Sequence, residues 1–248
     1  MKQESDASDA ASTGSSATST KPSVPEKVKK AVKNLYEPYV TPRPLYELIR
    51  WGIAFPILSL VSRIRLRGRY NVPKHGPFLI AANHLSWTDI PLIPLLLPGK
   101  VIYMAKEEYF TSRLAWLVRF MGAFPVKRGE GDRQALRAAE EQLKKGNVVV
   151  LFPEGTRSKT VTMAKGHAGL GMIALRSGVP VVPVAIWGSE KVLKEVGPQV
   201  VISYGEPIVF KPKGAKMTRE DIDNATEETM RAIAAMLPPE YRGVYSDQ

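Results

Sequence analysis

The sequence predicts an α/β fold: a single domain with a mostly parallel central sheet flanked by helices, preceded by an N-terminal amphipathic helical anchor. Three observations point there. Short runs rich in Val and Ile recur at residues 78–82, 101–105, 123–126, 148–152, 179–186 and 200–204. Their successive positions are apolar, as in strands covered on both faces by helical crossovers. Helical stretches at 113–121, 132–145 and 168–176 fall between several of these runs, and 248 residues suit one domain with a sizeable core.

The elements follow in order. Residues 1–25 are dominated by small and polar side chains and predict a disordered tail, because too little apolar surface is available to offset the entropy of ordering. Residues 26–63 predict an amphipathic helical segment in two parts. In the first, Val28, Val32 and Leu35 share one helical face while Lys27, Lys29, Lys30 and Lys33 occupy the rest. Pro42 and Pro44 punctuate the chain, and 45–64 continues as a largely apolar helix with a kink expected at Pro56. A basic helix followed by an apolar one suits an in-plane membrane anchor, and equally suits two helices packed on the domain.

The domain itself is expected over 64–240. Arg63, Arg65, Arg67 and Arg69 alternate with Ile64, Leu66 and Gly68, the period of an edge strand with a charged face. At the far end Thr218 opens a helix with Glu220 and Asp221 in its first turn, and Pro238 and Pro239 stop it near 237.

Composition narrows the partners. Thirty-five Lys and Arg against twenty-four Asp and Glu leave a formal charge of +11. That balance favours anionic partners: acidic lipid headgroups, phosphorylated substrates or nucleic acid. The absence of cysteine removes disulfides, thiolate metal sites and a cysteine nucleophile. The N-terminus lacks the apolar core of a signal peptide. The longest apolar run, 51–62 between Arg50 and Arg63, is too short to span a bilayer, so contact with a membrane is expected along its surface.

Polar clusters mark where chemistry is expected. Of the three histidines, His75 lies in a turn-like Pro-Lys-His-Gly-Pro stretch, and His167 suits either a surface or a pocket. His84 follows the strand 78–82, in Asn83-His84-Leu85-Ser86-Trp87-Thr88-Asp89, and clefts of α/β folds open at such strand ends. Ser86 and Asp89 have the spacing of a helix capping pair. Alternatively, a turn brings Asp89 back to one nitrogen of His84 and leaves the other free as a general base. A second cluster, Phe-Pro-Glu-Gly-Thr-Arg-Ser at 152–158, follows the strand 148–152. Glu154 and Arg157 there either hold hydroxyl and phosphate groups or form a solvated ion pair on a surface turn. A third, at 122–129, ends in Lys127 and Arg128, which either clamp a phosphate or decorate a loop.

Together these residues resemble the glycerolipid acyltransferase family that includes 1-acylglycerol-3-phosphate acyltransferases. Its first motif, Asn-His, four residues, Asp, is matched by Asn83, His84 and Asp89, with Ser86 at the serine position. Its second ends in an arginine after a short apolar strand, matched by Arg128. Its third is matched without a gap by 152–158, and its fourth, an apolar Val-Pro strand, by 179–184. Lys165 and Gly166 also fit. Order and spacing agree over roughly 64–210. Pro91 and Pro94 are expected to shorten the helix after Asp89.

The resemblance implies transfer of a fatty acyl group from acyl-CoA or acyl carrier protein to the free hydroxyl of 1-acylglycerol 3-phosphate, giving phosphatidic acid. It assigns His84 as the base and Asp89 as its orienter. Arg128 and Arg157 hold the acceptor's phosphate, Glu154, Gly155 and Thr156 position its glycerol part, and Ser86 belongs to the same substrate site. Attack is direct, with no cofactor and no metal. Expected partners are the lysophosphatidate-like acceptor, the acyl carrier and an anionic membrane surface, with the protein peripheral or monotopic on the cytoplasmic face. Glycerol 3-phosphate or another lysophospholipid is the alternative acceptor. A serine hydrolase built on Ser86 lacks the Gly-x-Ser-x-Gly elbow. A nucleic-acid-binding protein lacks a recognition motif. The glycines at 166–171 have the wrong spacing for a dinucleotide fingerprint and suit packing instead.

Overall fold

The computed structural model describes residues 45, 48–97, 101–111, 113, 115–126, 133–192 and 194–246. The expected tail, the first part of the anchor segment, and Lys127 and Arg128 lie outside the described residues.

The strands are β1 (Arg63–Arg67), β2 (Leu79–Ala82), β3 (Val101–Lys106), β4 (Ala123–Val126), β5 (Val148–Leu151), β6 (Val181–Trp187) and β7 (Gln199–Tyr204). They form one seven-stranded sheet in the order β1-β7-β6-β2-β5-β3-β4. Every neighbouring pair is parallel except β6 with β7. The single reversal has a plain cause. Among the described residues of 188–198 the only helix is the 3₁₀ turn Ser189–Lys191. That is too little for the crossover a parallel return requires.

Helices α1 (Phe55–Val61), α2 (Asp89–Leu92), α3 (Ala115–Phe120), α4 (Arg133–Lys144), α5 (Gly169–Ser177) and α6 (Arg219–Met236) surround the sheet. Strand alternation divides the core in two. Leu79, Ala81, Val149, Leu151, Val181 and Ala185 pack with side chains of α4, α5 and α6. Ile80, Ala82, Val150, Val182 and Val184 face the opposite way, against Leu58, Leu92, Ile93 and Leu97. The expected parallel sheet, buried on both sides, is the observed one.

Glycine spacing at 166–171 is a packing device, here between helices. A Cβ on Gly171 would stand 2.1 Å from the Ile222 carbonyl oxygen of α6, and the Gly171 amide donates to Thr226 Oγ1 at 3.2 Å. Thr218 closes the N-terminus of α6 with Asp221 in a capping box, each taking the other's backbone amide. Beyond residue 240 the chain keeps packing: Tyr245 is buried, and the Val244 amide donates to Met163 O at 3.2 Å.

Ahead of β1, a π-helical turn Arg50–Ala54 leads directly into α1. The Phe55 amide reaches Arg50 O, and Pro56 has no N–H to continue the tighter ladder. The expected kink is thus taken up as a widened turn. Arg50 Nη1 donates to Pro94 O and Leu97 O at 3.2 and 3.0 Å, which ties this helix to the domain. Its other side is bare: Leu48, Ile53, Ile57 and Leu60 are each more than half exposed. No helix among the described residues is long and apolar enough to cross a membrane.

Candidate active site

The topology places a crevice at the ends of β2 and β5. These strands are parallel neighbours, so the segments after Ala82 and after Leu151 emerge side by side. From β2 the chain leaves for β3 through Leu92 and Ile93 on one face. From β5 it passes Leu170 and Ile173 on the other face before entering β6. Adjacent strands whose connections diverge to opposite faces define the switch point at which open α/β sheets bind ligands.

Asn83 fixes the end of β2. Its side chain donates to Ile186 O and accepts from Ile186 N, both at 2.8 Å, so one amide takes both backbone groups of a residue on β6. His84 comes next. Its Nδ1 lies 2.8 Å from Asp89 Oδ2, its ring stacks on Phe152 at 3.9 Å between centroids, and its side chain keeps 11% exposure. Its Nε2 makes no hydrogen bond with a described residue.

Of the two roles its spacing left open, Asp89 takes the one in which a turn returns it to His84; the helix that follows is capped by Thr88, which makes no side-chain cap bond. Oδ2 also accepts the Leu85 amide at 2.7 Å and the Ser86 amide at 2.8 Å, so three donors converge on one oxygen. The turn between His84 and Asp89 is wound around that carboxylate, and α2 starts at Asp89 itself. With Asp89 ionised, it fixes the proton of the imidazole on Nδ1 and leaves Nε2 as the acceptor. The Ser86 hydroxyl accepts the Thr88 amide at 3.3 Å, makes no hydrogen bond to His84, and does not cap the helix, so the expected Ser86–Asp89 capping pair does not form. As expected from Pro91 and Pro94, α2 is short, and a 3₁₀ turn Ile93–Leu96 replaces its continuation.

The segment after β5 is braced against this turn. Glu154 is 3% exposed and uses both oxygens: Oε1 accepts the His84 amide at 3.1 Å, and Oε2 accepts the Ala164 amide at 2.9 Å. The Ser158 amide donates to His84 O at 2.8 Å. Burial pushes the Glu154 carboxyl up to about 7, against the two amide hydrogen bonds, which pull it down. Glu154 and Arg157 therefore do not form a solvated ion pair.

Gly155, Thr156 and Arg157 are exposed. Gly155 has φ +68°, a conformation open to glycine, and a Cβ there would press on the His167 ring at 3.0 Å. His167 is exposed, and its amide donates to Pro153 O, which puts it beside this segment; His75 is exposed elsewhere in a loop. The Arg157 guanidinium lies 4.5 Å from the Trp87 ring centroid, and Trp87 meets Tyr109 edge-on at 4.7 Å. The structure thus brings the segment that carries His84, Ser86 and Asp89 and the segment that carries Glu154, Gly155, Thr156 and Arg157 together at the ends of β2 and β5. Arg128 lies outside the described residues, although β4, which precedes it, is an edge of the same sheet. Among the described residues no three His, Asp or Glu side chains gather as metal ligands would.

Two contacts escape a reading of the sequence. Phe152 stacks on His84 because β5 lies in register beside β2, with Ala81 opposite Leu151, and no local signal encodes that pairing. The contact of Trp87 with Arg157 arises in the same way, from two loops that meet only in the folded chain.

Comparison with known proteins fits this geometry. The sequence profile of the family described as Acyltransferase matches residues 63–187, just over half of the chain. A 1-acyl-sn-glycerol-3-phosphate acyltransferase of Bacillus subtilis is 34% identical over 159 residues, 61% of this chain and 77% of that one. A lyso-ornithine lipid O-acyltransferase of Pseudomonas aeruginosa is 38% identical over 141 residues, 56% of this chain; the match spans about half of that enzyme, 53%. The crystal structure of the 1-acyl-sn-glycerophosphate acyltransferase PlsC of Thermotoga maritima superposes with a TM-score of 0.58 at 26% identity, covering 85% of this chain and 89% of that one. The chain belongs to the acyltransferase family.

Proposed function

We propose that this protein transfers a fatty acyl group from an acyl thioester to the free hydroxyl of 1-acylglycerol 3-phosphate, forming phosphatidic acid. The observation that carries the proposal is the His84–Asp89 pair, whose Nε2 has no partner among the described residues, beside an exposed Gly-Thr-Arg segment. An alcohol is a weak nucleophile at neutral pH and needs a base, whereas a thioester carbonyl is already activated. Nε2 of His84 takes the hydroxyl proton as the oxygen attacks the thioester carbonyl. Asp89 stabilises the imidazolium that forms. The tetrahedral intermediate collapses, the C–S bond breaks, and the thiolate leaves with the proton returned from His84. Ser86 lacks a hydrogen bond to His84, which favours direct transfer over an acyl-serine.

Arg157 holds the acceptor's phosphate, with Arg128 as its expected companion, and Gly155 and Thr156 lie against the glycerol part. Glu154 acts from beneath, keeping both loops in register through His84 N and Ala164 N. The donor is acyl-CoA or acyl carrier protein. The apolar face at Leu48, Ile53, Ile57 and Leu60, followed in sequence by Arg63, Arg65 and Arg67, suits insertion at an anionic bilayer surface on the cytoplasmic side.

The 38% identity to a lyso-ornithine lipid enzyme supports a second reading, in which that lipid is the acceptor. Thiol release separates the two. The purified chain in mixed micelles is given acyl-CoA, and separately acyl carrier protein, with 1-acylglycerol 3-phosphate, glycerol 3-phosphate or lyso-ornithine lipid. Turnover dependent on 1-acylglycerol 3-phosphate supports the proposal. Turnover with lyso-ornithine lipid alone moves the protein to the second reading. No turnover with any pair refutes both.

A further inference from the structure

Trp87 lies in sequence between His84 and Asp89, yet its side chain points at neither. It meets the Arg157 guanidinium at 4.5 Å and the Tyr109 ring at 4.7 Å, the latter at 72°. We infer that Trp87 is a positioning residue for the acceptor's anionic group: its indole is the shelf on which Arg157 is held with its N–H edge open to that anion.

Arg157 makes no hydrogen bond or ion pair with any described residue, and its guanidinium lies over the Trp87 ring. A guanidinium carbon held over an indole face keeps the cation beside the ring, and the N–H donors not turned towards the ring stay available for a two-point contact with an oxyanion. A long exposed arginine would otherwise sample many rotamers, and each productive contact would require ordering it. Trp87 is itself held. Tyr109 meets it edge-on, the Ile90 amide donates to its carbonyl at 3.4 Å, and the adjacent Thr88 hydroxyl donates to Ser189 O at 2.9 Å.

The shelf also sets a distance. Trp87 sits on the same turn that Asp89 winds around its carboxylate. The turn that holds the base therefore holds the anchor for the headgroup. A headgroup seated on Arg157 places the free hydroxyl at a fixed reach from His84, so the pair selects acceptors by the spacing between anion and hydroxyl.

The inference rests on the proposed transfer to an anionic acceptor, and one set of variants separates the two. Trp87→Leu, Trp87→Tyr and Arg157→Gln are assayed by thiol release from the acyl donor and acceptor, 1-acylglycerol 3-phosphate or lyso-ornithine lipid, that support turnover. Trp87→Leu is also combined with Arg157→Gln. Trp87→Leu is expected to raise the acceptor KM about five- to tenfold with kcat within about twofold, and Trp87→Tyr to restore most of the affinity. In the Arg157→Gln background Trp87→Leu adds less than about twofold. An equal rise in both backgrounds overturns the inference, because Trp87 then touches the acceptor by itself. An unchanged KM in Trp87→Leu beside a raised KM in Arg157→Gln also overturns it and leaves the headgroup site standing. An unchanged KM in Arg157→Gln removes the headgroup site and the inference with it. If Trp87→Leu does not fold, Trp87→Met against Trp87→Tyr makes the same comparison.

Discussion

Oδ2 of Asp89 stands 2.8 Å from Nδ1 of His84 while also accepting the Leu85 and Ser86 amides. One buried oxygen thus shapes the turn and orients the imidazole. Its companion Oδ1 is buried with no partner among the described residues. Asp89→Asn should therefore keep the turn, with the amide oxygen facing the three donors and the NH₂ in the position that lacks an acceptor. The imidazole tautomer survives, but the charge opposite the forming imidazolium is lost. Turnover is expected to fall about 10²- to 10⁴-fold while the circular dichroism spectrum is unchanged. Near-normal kcat would remove Asp89 from the reaction.

Glu154 makes stability depend on pH. Its carboxyl is raised from 4.5 to about 7, so the native state binds this proton more tightly than the unfolded chain does. The contribution is present in full below pH 4.5 and is lost as pH rises through about 7. Its upper bound is roughly 3–4 kcal/mol, at about 1.4 kcal/mol per unit. Urea denaturation at pH 5 and pH 8 should show a larger loss for the wild type than for Glu154→Gln. Parallel losses would contradict the assignment.

Asn83 bridges β2 to β6 through both backbone groups of Ile186. Asn83→Ala leaves that N–H and C=O without their side-chain partner at the edge of the site. A cost of about 1–3 kcal/mol is expected in chemical denaturation, with a loss of kcat because His84 is the next residue. A melting temperature equal to wild type would show that the bridge is dispensable.

The exposed apolar face ahead of β1 should govern vesicle binding. Ile57→Glu and Leu60→Glu are each expected to weaken co-sedimentation with anionic vesicles about tenfold, on the transfer energy of one buried side chain. Activity towards acceptor in detergent should be retained. Unchanged co-sedimentation of the double variant would move the membrane contact elsewhere.

Much of this fold is legible along the chain because its evidence is local. Val/Ile runs mark the strands, Thr218 with Asp221 marks the start of α6, and Pro91 with Pro94 shortens α2. What local patterns do not carry is adjacency. That β2 lies between β5 and β6 follows from pairing partners roughly seventy and a hundred residues away, such as Leu79 with Val149 and Val181. The same limit applies to the site. Asp89's return to His84 is readable from spacing and a turn, whereas the burial of Glu154 is not. A Glu-Gly-Thr-Arg sequence suits a wet surface turn equally well, and only the parallel neighbour supplies the His84 amide that receives its carboxylate.

In the proposed transfer His84 removes the acceptor's proton. Thiol release by His84→Ala, measured beside wild type at matched folded content and saturating acceptor, tests it most directly. A fall of at least about 10²-fold is expected, with circular dichroism and vesicle binding unchanged. Turnover within a few-fold of wild type would contradict it.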